Sequence, residues 1–218
     1  MGVELLPSVL TSGWASGVNA YAAVLVLGLM SRFGDATAIP AGLGSTWVLT
    51  IAGVLFLVEM VADKVPYVDS IWDGVHTFIR PVVGAGLGYL LAKDVGGYEA
   101  VAATLGGGAV ALASHGVKST SRAAINTSPE PVSNITMSTA EDVTVLGILA
   151  LAVSQPWVAA AICIVLLIAG AAVIWYVISR VRSYRERRRQ RRLSLGEVLR
   201  QRIVLDDEPE TAARREPR

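Results

Sequence analysis

Cysteine is nearly absent from this chain: its 218 residues include one, Cys163, inside an apolar run. No disulfide can form within the chain and no thiolate metal cluster is available, so Cys163 reads as a small packing or lipid-facing residue. Aromatic residues are scarce at 6%, and charged residues make up 17% against about 25% in a soluble domain. No basic stretch followed by a short apolar core and cleavage site opens the chain, so no cleavable signal peptide is expected. A P-loop, a nucleophile elbow and a HExxH zinc signature are all missing. The glycine runs Gly84, Gly86, Gly88 and Gly106, Gly107, Gly108 follow no strand pattern. They read as small-residue packing surfaces of apolar helices rather than phosphate loops.

What the chain has is hydrocarbon, at 53% hydrophobic residues. Its charges are segregated: six basic and eleven acidic side chains precede position 180, and thirteen and seven follow it. The body is therefore near −5 and the tail near +6. This is the layout of an integral membrane protein with a cytoplasmic tail. The fold class expected is all-α, a polytopic transmembrane helical bundle over residues 1–179. Residues 180–218 form a basic, partly disordered cytoplasmic tail, in which 193–205 is either a short amphipathic helix on the inner leaflet or part of a disordered end.

A spanning helix needs about 20 apolar residues. Six segments approach this: 18–32, 46–62, 82–92 (extended backwards by 69–80), 98–114, 141–154 and 157–179. The third and fifth are short, which suggests broken or re-entrant helices. Arg180, Arg182, Arg185, Arg187, Arg188, Arg189, Arg191 and Arg192 follow the sixth segment, and the positive-inside rule puts them in the cytoplasm. Counting back through six spans puts the N-terminus there too. The polar stretches 12–21, 63–80 and 115–142 then meet at one membrane face.

Within those stretches, Glu59 and Asp63 share a helix face, followed by Lys64. Asp69, Asp73, His76 and Arg80 form a polar stripe on an amphipathic helix that Pro81 kinks or ends. This stripe is either a solvated interfacial face or the lining of an ion pathway, because ionisable groups inside a span normally face a cavity or a partner. His115, Lys118 and Arg122 recur at helical spacing, and Ser119, Ser121 and Asn126 add donors. Arginine supplies a fork for phosphate or carboxylate, and lysine a point charge. Pro129 and Pro131 hold the chain extended around Glu130. Ser138 with Glu141 fits a capping box that starts the fifth helix. His76 and His115 are weak candidates for metal ligands, without a recognised ligand spacing; no cofactor is predicted.

The motifs themselves carry a resemblance. Ser16 to Tyr21, with Asn19, comes first. Next is the run with Glu59, Asp63, Lys64, Pro66, Asp69, Trp72 and Asp73, then Arg80 with Pro81. His115, Lys118 and Arg122 follow, then Asn126 to Pro131, Ser133 with Asn134, and Glu141 with Asp142. Together they resemble an uncharacterised bacterial family of small multi-pass membrane proteins, a domain of unknown function, over residues of about 12 to 155. The sixth helix and the tail lie outside that likeness. The resemblance implies a bacterial inner-membrane location and a site, without naming its ligand.

Three functions are consistent with these residues. The first is a transporter- or channel-like protein handling a small anion or an anionic lipid headgroup. Its binding residues would be Asn19, Glu59, Asp63, Lys64, Asp69, Asp73, His115, Lys118, Arg122, Asn126, Glu130 and Asn134. Lys118 and Arg122 would hold the anion, and Glu59 and Asp63 would bind a proton or cation. The second is a membrane-embedded lipid enzyme using His76 or His115. The third is a non-catalytic scaffold in which the charges pair among themselves. The bilayer is the expected partner. Self-association through the glycine-rich spans is compatible with the sequence, whereas nucleic acid is not expected, because the basic run lacks interleaved aromatics.

Overall fold

The computed structural model describes residues 2–34, 39–65, 67–126 and 131–213. Seven α-helices and one short 3₁₀ turn account for the described chain: α1 (Gly2–Val18), α2 (Ala20–Phe33), η1 (Ala41–Gly44), α3 (Thr46–Ala62), α4 (Val68–Ala92), α5 (Gly97–Ile125), α6 (Pro131–Ser154) and α7 (Pro156–Ala213). The chain divides into two compact units, Met1–Ala171 and Ala172–Arg218, a boundary somewhat before the position 180 marked by the charge shift. The second unit is the continuation of helix α7, which includes the backbone of residues 193–205.

The burial pattern of the first unit is inverted relative to a soluble protein. Its largest fully buried side chains include Arg80, Arg122, His76, His115 and Glu59, while Phe78, Val82, Leu105 and Ile168 are exposed. Apolar surface on this scale turned outwards is matched by lipid rather than by water. Helices α4, α5, α6 and α7 are each long and apolar enough to cross a membrane, whereas α2 and α3 are apolar but shorter. The chain is an integral membrane protein.

Two of the segments expected to be broken are continuous. α4 runs 25 residues straight through Pro81, and α6 starts at Pro131 and runs 24 residues. Proline suits the first helical turn. Ser138 therefore lies well inside α6 and is not its N-cap. The break is elsewhere. Residues 2–18, which hydropathy alone leaves outside the spans, form α1, and the helix stops at Asn19 (φ −148°, ψ 100°). The Asn19 side chain accepts from the Ala22 amide at 2.9 Å and caps α2.

Contacts set the helix directions. Gly13 of α1 lies against Gly107 of α5 and Gly17 against Ala111 and Ser114, so these two helices run parallel. Gly88 of α4 meets Ala103 of α5 and Gly84 meets Gly107, so α4 and α5 are antiparallel. Gly28 of α2 lies on Leu49 of α3, and Arg32 donates to Thr46, so α2 and α3 are antiparallel. Since α3 and α5 both travel towards the end where Asp63 meets Lys118, α1 travels towards that end and α2 away from it. They form a helical hairpin with Asn19 at its turn. The six expected segments leave out α1, which pairs with α2 in this hairpin; four helices among the described residues are long and apolar enough to span a membrane.

The glycines explain how the backbones come so close. A side chain on Gly84 would meet Ala111, Gly107 and Ser16, and one on Gly107 would strike the Gly84 carbonyl. Glycines 84, 88 and 107 are thus used to join α4 and α5 within a single chain. Cys163 is fully buried among Trp14, Val18, Ile148 and Leu149, a packing residue.

Candidate functional site

The tip of the helical hairpin touches a buried network of ionised groups. α3 contributes Glu59, with Asp63 just past its end. α4 contributes Asp69, Asp73, His76 and Arg80; α5 contributes His115, Lys118 and Arg122; α6 contributes Glu141 and Asp142. The four polar residues of the α4 stripe, Asp69, Asp73, His76 and Arg80, are all buried, so that face is not a solvated interfacial surface.

Arg80 is the hub. Its Nη2 donates to Glu59 Oε1 at 2.7 Å, and its Nη1 donates to the Gly17 carbonyl at 3.3 Å and to His115 Nδ1 at 2.6 Å. Asp73 Oδ1 lies 3.2 Å from the same Nη1. Lys118 Nζ donates to Asp63 Oδ2 at 2.7 Å and to the Val18 carbonyl at 2.9 Å. That carbonyl is available because α1 ends there, which couples the hairpin tip to α5. Arg122 donates to the Asp63 carbonyl at 2.8 Å, to Asp63 Oδ2 at 3.0 Å and to Glu141 Oε2 at 2.5 Å. Asn19 Nδ2 reaches Asp142 Oδ1 at 3.2 Å, and Lys64 lies 3.9 Å from Asp142 and donates to Ser138 at 3.4 Å.

The histidine protons follow from their partners. A guanidinium can only donate, so His115 Nδ1 accepts and its Nε2 carries the hydrogen, donating to Thr77 Oγ1 at 3.0 Å. A backbone carbonyl can only accept, so His76 Nδ1 carries the hydrogen and donates to Trp72 O at 2.8 Å. Tyr21 Oη then donates to His76 Nε2 at 3.0 Å. All four ring nitrogens are engaged, and no group of three or more histidine, cysteine or acidic side chains suited to a metal occurs among the described residues.

Asp69 is the second focus. Asn126 Nδ2 donates to both its oxygens at 2.9 Å, and Asn134 Nδ2 to Oδ2 at 3.3 Å. Tyr67 precedes α4 with φ 70°, a left-handed conformation rare outside glycine, in the turn that brings α4 and Asp69 back beside Asp63 and Arg122. Burial alone would raise the Asp63 carboxyl. The cations of Lys118 and then Arg122 outweigh it and hold that carboxyl below the ordinary aspartate value.

Eleven of the twelve sequence-derived binding residues converge here; Glu130 lies outside the described residues. Five participants carried weaker signals. Arg80 stands in the sequence only as the end of an amphipathic stripe, yet it bonds Glu59 and His115. Glu141 and Asp142 stand there as a helix start. Tyr21 and Thr77 lie in ordinary helical sequence and carried no chemical signal.

The pairing alters what the cations can do. Lys118 and Arg122, expected to hold an anion, are already neutralised by Asp63 and Glu141. The cluster contains six carboxylates (Glu59, Asp63, Asp69, Asp73, Glu141, Asp142) and four cations (Lys64, Arg80, Lys118, Arg122). Among the described residues, Glu59 Oε2, Asp63 Oδ1 and Asp73 Oδ2 are buried without a hydrogen-bond donor, and Asp73 Oδ1 has only its ion contact with Arg80. Arg80 Nε and Arg122 Nε are likewise buried without an acceptor among the described residues, so what the site has in excess is negative charge, six carboxylates against four cations.

This hairpin-and-network arrangement defines a membrane protein with a charged interior. The chain belongs to the family described as a domain of unknown function, DUF4126, whose profile matches residues 6–176. The match takes in α1 and the apolar part of α7, further in both directions than the motifs alone suggest. No curated protein and no solved structure matches the chain.

Proposed function

We propose that this protein is transporter- or channel-like and that its buried network handles positive charge, a proton or another small cation. The observation that carries this reading is the surplus of buried carboxylates, several with oxygens that no donor satisfies. Removing an ion from water costs several kcal/mol even after relaxation. Replacing buried ion pairs by apolar residues is often neutral or stabilising. A network of this size is therefore a poor choice for stability alone, and ionisable groups inside a membrane ordinarily mark an ion pathway. A helical hairpin whose tip contacts the network is also how membrane proteins bring polar backbone to a site.

The sequence-based anion reading is less well supported, because an arriving anion would meet cations already paired and carboxylates in excess. One observation favours a scaffold instead: each of Arg80, Lys118 and Arg122 has a carboxylate partner. Flux measurements separate the two. Purified protein in liposomes with a trapped pH dye, driven by an imposed potassium diffusion potential, should admit protons faster than protein-free vesicles. Glu59→Gln should abolish the difference. Folded wild-type protein that gives no flux above empty vesicles, with proton, sodium and potassium gradients alike, would leave the scaffold reading standing.

For topology we propose a cytoplasmic tail by the positive-inside rule. Because α1 enters the bundle from the end opposite Asp63, the N-terminus then lies on the other side of the membrane, the reverse of a six-span count.

A further inference from the structure

Beside the network is a cavity of about 210 Å³ between α1, α5, α6 and α7. Its wall is apolar: Val18, Val117, Met137, Leu166 and Leu167. Ser114, Lys118, Ser121, Glu141 and Thr144 supply its polar groups, and Trp14 also lines it. Ala140 and Thr144, on the same wall, are exposed, so the cavity opens on the apolar exterior of α6. It is smaller than the roughly 300–1,000 Å³ of drug-sized sites.

Resting on the cation-handling reading above, we propose that this cavity binds a small lipophilic monocation, an ammonium with an apolar body, and that this is the class of solute the protein handles. Three features of the cavity select it. First, Glu141 meets both Arg122 and Lys118 through Oε2, and Oε1 takes part in neither contact. One carboxylate oxygen thus remains for an incoming cation. Second, Lys118 also lines the cavity, but its ammonium is already held by Asp63 and the Val18 carbonyl and lies 3.6 Å from Glu141 Oε2, so it is not free to receive an anion. Third, an indole face is the strongest side-chain partner for a quaternary ammonium, and Trp14 supplies an indole among the lining side chains. A hydrated inorganic ion would find no use for that wall. An anion would face the free oxygen of Glu141 and a network with more carboxylates than cations. A neutral hydrocarbon would fill the wall and leave Glu141 unused.

The test uses the purified full-length protein in detergent and calorimetric titration with three probes of similar shape. They are benzyltrimethylammonium, its neutral isostere neopentylbenzene, and benzenesulfonate. Saturable binding is expected for the ammonium, at least about tenfold weaker binding for the neutral isostere, and none for the sulfonate. Ala140→Phe, which fills the cavity from its exposed rim and leaves every charge in place, should weaken the ammonium by a similar factor. Thr144→Phe, one turn along, serves if that variant is not folded. Glu141→Gln should erase the preference for the ammonium over its isostere. The proposal is overturned if the isostere or the sulfonate binds as well as the ammonium, or if folded cavity-filled protein binds it like wild type. Proton flux that persists without ammonium binding removes this inference alone. Ammonium binding without any flux removes the transport reading and leaves the binding site.

Discussion

Arg80 Nη1 lies 2.6 Å from His115 Nδ1, and this contact determines where a proton sits in the middle of the bundle. Arginine has no acceptor, so His115 must be the Nε2–H tautomer. His76, held by the Trp72 carbonyl at Nδ1, must be the opposite one. The chain has only these two histidines. Nitrogen-15 spectra of histidine-labelled protein should therefore show one ring of each tautomer, and His115→Ala should remove the Nε2–H signal. Two rings of the same tautomer would contradict the Arg80–His115 contact.

The Glu59–Arg80 pair should behave as a coupled unit. Removing one partner of a buried ion pair costs about 3–5 kcal/mol, because the other charge is left uncompensated. Arg80→Met leaves Glu59 with Lys118, 3.5 Å away, as its remaining cation, and Glu59→Gln leaves Arg80 with Asp73 as its remaining carboxylate partner. In chemical unfolding in detergent, each single variant should be strongly destabilised. The double variant should fall well short of the sum, with a coupling on the order of 1–3 kcal/mol. Strict additivity would mean the two residues do not act on each other.

The glycines divide into two sets with opposite expectations. A methyl group on Gly84 or Gly107 meets neighbouring backbone and side chains, whereas nothing lies within 4 Å of one on Gly86 or Gly106. Gly84→Ala and Gly107→Ala should each cost about 1–3 kcal/mol by overpacking. Gly86→Ala and Gly106→Ala should be neutral or stabilising by up to about 1 kcal/mol. Melting temperatures of the four variants in one detergent test the division, and equal effects across the sets would refute the α4–α5 contact.

Acid sensitivity follows from Asp63. Its carboxyl is held below the ordinary value of 3.8 by Lys118 and Arg122. A depressed carboxylate contributes stability that is complete above its unfolded value and is lost as pH falls through its folded value. Wild-type protein should lose stability more steeply than Asp63→Asn on acidification below pH 3.8, and the two should run parallel above it. A variant just as steep as wild type would show that Asp63 is not stabilised by these cations.

Much of the site was legible because helical spacing is local. Asp69, Asp73, His76 and Arg80 fall on one face of α4 by periodicity, as do His115, Lys118 and Arg122 on α5. The carboxylate that neutralises each cation was not legible, since it comes from another helix: Asp63 and Glu141 reach Arg122 across 59 and 19 residues. That missing information turned an apparent anion site into one with surplus negative charge. Likewise, charge and proline near residues 129–141 suggested a late helix start, but α6 begins at Pro131 because proline's missing N–H costs nothing in a first turn.

By itself the sequence determined that this is an all-helical membrane protein with its charges gathered at one end. Hydrophobic length and helical periodicity are properties of contiguous residues, and they do not depend on the fold. Tertiary structure alone decided that α1 and α2 turn back at Asn19, that glycines 84 and 107 join two helices of one chain, and that Lys118 and Arg122 are already paired. Each of these depends on which atoms from distant segments come within a few ångströms, where sterics and Coulomb energy act.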